Sequence, residues 1–134
     1  MVSRVFVVDD DLSARRGLAR LLRTAGHYVR AFASTSELLD SLDPETSGCL
    51  VLDARAPGPS GAELVAELEL RQIDLRVIVI TADEEPEIRR RAHAMKAVGC
   101  FRKPVDGAAL HDSIAWVLRS AGPGTARSSR PDPE

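Results

Sequence analysis

The chain has 134 residues, 44% apolar and 28% charged, a composition that fits one globular domain large enough to bury a core. Eighteen basic residues against twenty acidic ones leave a formal net charge of −2, which argues against a dedicated nucleic-acid surface. The longest uninterrupted apolar runs, such as Val5–Val8 and Val77–Ile80, are too short to cross a membrane, and Met1-Val2-Ser3-Arg4 has no secretory organisation.

Arg4–Val8 opens the chain as a strand candidate. Leu12–Ala25 follows as an amphipathic helix, with Ala14, Leu18, Leu21, Leu22 and Ala25 on one face and Arg16, Arg20 and Arg23 on the other. Gly26 stands where a helix C-terminal cap is expected. Four further strand candidates are Tyr28–Phe32, Cys49–Leu52, Arg76–Ile80 and Gly99–Arg102. The helices that alternate with them are read from Leu38/Leu39/Leu42, Leu64/Val65/Leu68, Ile88/Ala92/Met95 and Leu110/Ile114/Val117. The first, third and fourth strands are nearly continuous in Val, Ile and Leu, as strands covered on both faces are. A fivefold βα alternation implies an α/β domain with a doubly wound, mainly parallel sheet between helices. Residues 1–120 form that domain, and residues 121–134, without apolar periodicity, read as a disordered tail or linker stub. Cys49 and Cys100, in no metal-binding spacing, fit a reduced cytoplasmic protein.

In such sheets the ligand site lies beyond the carboxyl ends of the strands. Asp9-Asp10-Asp11 follows the first apolar run, Asp53 the third, Thr81 the fourth, and Lys103-Pro104 the fifth strand. Converging carboxylates repel one another, and a hard cation such as Mg²⁺ relieves that repulsion. An acceptor carboxylate, a metal site, an ammonium and a hydroxyl together suit phosphoryl transfer. Taken singly, the acids read as helix caps or turn residues, and Thr81 as an ordinary strand residue. Lys103 stands out because the chain holds sixteen arginines and only two lysines.

The intervals Asp10–Asp53, Asp53–Thr81 and Thr81–Lys103 (43, 28 and 22 residues) carry a family resemblance, as do four fragments. These are Val-Val-Asp-Asp-Asp, Leu-Asp-Ala-Arg-Ala-Pro-Gly-Pro-Ser-Gly, Ile-Thr-Ala-Asp and Arg-Lys-Pro. Together they resemble the receiver domain of bacterial two-component response regulators over about residues 4–118. The resemblance implies a flavodoxin-like fold with strand order 2-1-3-4-5, which sets the first and third strands side by side. It implies Asp53 as the phospho-accepting nucleophile, and Asp9, Asp10, Asp53 and the backbone carbonyl of Arg55 as Mg²⁺ ligands. Asp10 would bind directly and Asp9 through water. Thr81 would hydrogen-bond the phosphoryl group, Lys103 would neutralise it, and a cis Lys103–Pro104 bond would orient the ammonium. Arg55 and Asp83, oppositely charged, border the site as a pair tuning hydrolysis. Thr81 and position 100 form the switch, but Cys100 replaces the family's usual Tyr or Phe. Phe101, one residue on, should face the other way. Cys100 itself is read as a small buried hydrophobe.

The expected function is a phosphorylation-driven switch that catalyses its own phosphorylation and dephosphorylation, not a metabolic enzyme. Its partners would be a sensor histidine kinase or histidine phosphotransfer protein and a downstream effector protein. Arg16, Arg20 and Arg23 are read as solvated, with kinase docking as the alternative, and Arg89–Arg91 as a solvated face. His27, His93 and His111 match no ligand spacing and default to packing or solvent. Trp116, off the core face, marks a surface for a partner or for a homodimer through the fourth and fifth helices. An aspartyl phosphatase of the haloacid-dehalogenase type fails because Arg55 stands where a second acid is needed. A P-loop hydrolase fails for want of its motif, and a flavodoxin for want of a Ser/Thr-rich phosphate loop. Two alternatives stay open: a phosphorylation-independent interaction domain, and the receiver half of a DNA-binding regulator. No helix-turn-helix is visible after residue 120, so direct nucleic-acid binding by this chain is not expected.

Overall fold

The computed structural model describes residues 4–56, 58, 61–82 and 86–120. In chain order these form β1 (Arg4–Val8), α1 (Leu12–Thr24), β2 (Tyr28–Phe32), α2 (Thr35–Ser41) and β3 (Ser47–Asp53). Then come α3 (Gly61–Arg71), β4 (Asp74–Thr81), α4 (Pro86–Ala94), β5 (Gly99–Arg102) and α5 (Gly107–Ser120). All pairings are parallel, and the sheet order is β2-β1-β3-β4-β5, as the resemblance implies. The order reverses between β1 and β3, and that crevice is where such sheets bind ligands.

Alternation along the strands sorts the core into two layers. Phe6, Val8, Leu50, Leu52, Val77 and Val79 pack against Leu38 and Leu39 of α2, Leu64 and Leu68 of α3, and Ala92 of α4. Their neighbours Val5, Val7, Cys49, Val51, Ile78 and Ile80 turn to the other face. There they meet Ala19 and Leu22 of α1 and Leu110, Ile114 and Val117 of α5. Burying one such Leu or Ile is worth roughly 1.5–3 kcal/mol. Two layers of them can therefore carry a cluster of like charges at one edge of the sheet. The apolar stripes read for α2, α3 and α5 are the ones that face the sheet. Trp116 lies off that stripe and is 39% exposed.

The third and fourth strands are longer than their apolar runs, spanning Ser47–Asp53 and Asp74–Thr81. Backbone pairing from Ser47↔Asp74 to Asp53↔Ile80 takes in polar residues because the ladder bonds through the main chain. Asp53 and Thr81 are thus the last residues of their strands, not the first of their loops. On α1 the buried line runs through Ala19 and Leu22, while Leu21 and Ala25 are exposed. Leu21 instead lies against Gly107, where an added Cβ would stand 2.5 Å from the leucine Cδ1. Gly26 does end the helix: its φ of 101° suits glycine. Gly26 N–H donates to Arg23 O at 2.9 Å and His27 N–H to Leu22 O at 3.1 Å, the two bonds of a Schellman turn. Residues 121–134, read as a tail, lie outside the described residues. No described helix is long and apolar enough to cross a membrane.

Candidate functional site

The register β1–β3–β4–β5 brings Asp9, Asp53, Thr81 and Lys103 to one end of the sheet. Asp9 follows β1 and is fully buried; Asp53 ends β3 and is 7% exposed. Carboxylate oxygens of Asp9, Asp10 and Asp53 all lie within 4.8 Å of one another. Asp10 is exposed, and among the described residues its carboxylate takes part in no hydrogen bond or ion pair. Lys103 Nζ donates to Asp9 Oδ2 at 3.2 Å and to Asp53 Oδ2 at 3.4 Å. Burial works against the lysine's charge, but the hydrogen bond to Asp9 and the charges of Asp53 and Asp9 outweigh it. Its pKa is therefore held above the usual lysine value. Two like charges about 4 Å apart repel by about 4 kcal/mol at an effective dielectric of 20. One lysine shared between two acids leaves a deficit that a cation would fill.

The remaining bonds fix the acids in place. Asp53 Oδ1 accepts from Arg55 N–H at 3.1 Å, folding the Arg55 turn onto the carboxylate. Asp9 Oδ1 accepts from Asp11 N–H at 3.0 Å. Asp11 occupies the N-cap of α1 without a side-chain cap bond, and its own N–H is the one that Asp9 accepts. Thr81 is buried at the end of β4, and its carbonyl accepts Lys103 N–H at 2.8 Å. The Lys103–Pro104 bond is cis, as the resemblance implies. Three hard carboxylates fit a divalent cation of the Mg²⁺ class better than a soft metal.

Asp83, the expected partner of Arg55, lies outside the described residues; Arg55 itself is exposed. Cys100 corrects an expectation, for it is exposed and not a buried hydrophobe. β5 is an edge strand with a neighbour on one side only, so a residue facing outward there finds partial cover. Phe101 faces the opposite way and packs into the α1/α5 layer, as strand alternation requires. Cys49 is the buried thiol, pushed up to about 12 by burial, with Arg76 pulling weakly the other way. Arg16 and Arg20 are exposed, whereas Arg23 Nη2 donates to Val29 O at 3.0 Å and fastens α1 to β2.

Two features escaped the sequence. His27 Nε2 and His111 Nδ1 stand 2.9 Å apart, joining the end of α1 to α5 across 84 positions. Burial and the neighbouring His111 both lower the pKa of His27. Arg15 Nη1 donates to the carbonyl of Asp9 at 2.8 Å. Neither a histidine pair between remote elements nor a side-chain bond to a backbone carbonyl leaves a spacing to read.

Among known proteins, the chain is similar to Nodulation protein W of Bradyrhizobium diazoefficiens. The two are 41% identical over 110 residues, which is 82% of this chain and 48% of that protein. It is 37% identical to the transcriptional regulatory protein FixJ of Azorhizobium caulinodans, over 94% of this chain and 60% of that one. The chain thus spans about half to three-fifths of these curated relatives. A crystal structure of a response regulator receiver protein from Burkholderia phymatum superposes with a TM-score of 0.74 at 35% identity. That match covers 90% of this chain and 98% of that one. Residues 5–115 match the family model described as the response regulator receiver domain. With the strand order, the acid cluster and the Thr–Lys pair at the sheet's end, the chain belongs to the response regulator receiver family.

Proposed function

We propose that Asp53 accepts a phosphoryl group from a phosphohistidine donor, either a sensor histidine kinase or a histidine phosphotransfer protein. The observation that supports this most strongly is the sharing of Lys103 by Asp9 and Asp53 beside Asp10, whose carboxylate has no partner among the described residues. A carboxylate oxygen of Asp53 forms the new P–O bond as the P–N bond of phosphohistidine breaks, and the imidazole leaves with the bonding pair. Lys103 neutralises charge on the transferred group, and the Thr81 hydroxyl donates to one of its oxygens. Mg²⁺, held by Asp9, Asp10, Asp53 and the Arg55 carbonyl, would supply the positive charge an anionic donor needs to approach three acids. Attack of water on the phosphorus then returns Asp53 to its carboxylate, at a rate tuned by Arg55 and Asp83.

The output is a shift in the Thr81–β5 region read by a downstream effector protein. With exposed Cys100 in place of an aromatic ring, that shift is small. The relatives named as transcriptional regulatory proteins extend well beyond the matched region. That favours a second reading, in which the domain serves as the receiver part of a longer transcriptional regulator. Trp116 and the fourth and fifth helices offer a homodimer surface. A cytoplasmic location fits the unpaired cysteines.

The test is intact mass after incubation with a small phosphodonor. Wild type gains one phosphoryl group in Mg²⁺ and none in chelator, while Asp53→Asn gains none in either. Equal uptake by Asp53→Asn, or uptake undiminished by chelator, overturns the reading.

A further inference from the structure

Every polar group of Asp9 is engaged, and its carbonyl is held by a side chain of α1. Its N–H donates to Phe32 O at 3.1 Å, and its two carboxylate oxygens accept from Asp11 N–H and Lys103 Nζ. Its carbonyl accepts from Arg15 Nη1 at 2.8 Å. The same arginine donates its backbone N–H to Asp11 O at 2.9 Å. Arg15 therefore grips the carbonyls on both sides of Asp10, one with its side chain and one with its main chain.

The Asp9 carbonyl belongs to the planar peptide unit that ends at the Cα of Asp10. Fixing that oxygen fixes the plane and the place of the Asp10 Cα, and the Asp11 N–H bond to Asp9 Oδ1 holds the next plane; together the two set the direction in which the Asp10 side chain leaves the backbone. Asp10 needs such help. Among the described residues its carboxylate takes part in no hydrogen bond or ion pair, so its aim is set by the backbone.

We propose that Arg15 is a positioning residue for the cation site, acting through the Asp9 carbonyl to aim the Asp10 carboxylate at Asp9 and Asp53. The inference rests on the reading of the acid cluster as a Mg²⁺ site. Geometry and charge make opposite claims here, which separates them. A guanidinium close to a cation site repels the cation, so a purely electrostatic Arg15 weakens Mg²⁺ binding, and its removal tightens it. An Arg15 that aims a ligand strengthens binding, and its removal weakens it. Groups that orient metal ligands are typically worth ten- to a hundredfold in affinity. About tenfold is the expectation for one bond to a backbone carbonyl.

The experiment is Mg²⁺ titration by calorimetry on the unphosphorylated full chain, for wild type, Arg15→Met and Arg15→Lys. Amide hydrogen exchange of residues 9–11 in chelator is the second readout. The expected affinity order is wild type, then Arg15→Lys, then Arg15→Met, with about a tenfold span and faster exchange at residues 9–11 in both variants. Arg15→Lys keeps the charge but offers a compact ammonium in place of the guanidinium fork, so it recovers only part of the affinity. Arg15→Met binding Mg²⁺ as tightly as wild type, or more tightly, overturns the proposal. So does unchanged exchange at residues 9–11. Failure of wild type to bind Mg²⁺ overturns the reading of the acid cluster itself, and the role of Arg15 falls with it.

Discussion

At the N-terminal end of the strands, ionic groups meet opposite charges: Asp74 with Arg76 at 3.3 Å, and Glu69 with Lys96 at 2.9 Å. At the C-terminal end three carboxylates crowd within 4.8 Å of one another, two of them buried, and Lys103 is shared between those two. The first arrangement is what surface chemistry settles into when nothing else is asked of it. The second costs stability, and the two apolar layers behind it supply the margin. Charge held in a form that destabilises the resting domain is charge available for an incoming cation and phosphoryl group.

Removing a lysine from each end should expose the contrast. Lys103→Met leaves the fully buried Asp9 without its ammonium and is expected to lower stability by roughly 2 kcal/mol in chelator. Denaturant unfolding of this variant measures it, and a loss under about 0.5 kcal/mol would mean that the acids are not electrostatically coupled to the lysine. A smaller effect is expected where two bases meet, at His27 and His111. The pKa of His27 is lowered from the ordinary 6.5, so its neutral form is the one the fold favours. Stability from this group is present above the ordinary value and is lost as pH falls from there through the lowered value. His27→Gln should flatten the decline of the unfolding midpoint over that acid window; an unchanged slope would place the titration elsewhere. The smallest effect belongs to Lys96→Met. Lys96 and Glu69 keep 72% and 60% of their side-chain surface in water, so the loss is expected to stay below about 1 kcal/mol.

The sequence made one kind of information visible and hid another. Alternation in Val5–Val8 and Val77–Ile80 assigned side chains to faces, because a strand's period leaves no other choice. Asp9, Asp53, Thr81 and Lys103 were legible because strand ends converge once the order of strands is known. The α1 stripe was read through Leu21, yet Ala19 took the buried place. The pattern did not show that the helix presents Ala19 to the sheet while Leu21 leans on Gly107. Cys100 was hidden by its neighbourhood: residue type favours burial, but an edge strand gives cover on one side only. The His27–His111 pair depends on the packing of α1 against α5, which no local pattern encodes.

The crossing of two stability curves tests this account most directly. Asp10→Asn removes one charge from the cluster without touching the bonds of Asp9, Asp53 or Lys103. In chelator the variant should unfold at higher denaturant than wild type, because a repulsive charge is gone. In saturating Mg²⁺ the order should reverse, because ligand binding to the folded state stabilises wild type by more than the variant. A variant no more stable than wild type in chelator, or one stabilised equally by Mg²⁺, would contradict the claim that this end of the sheet trades stability for a cation site.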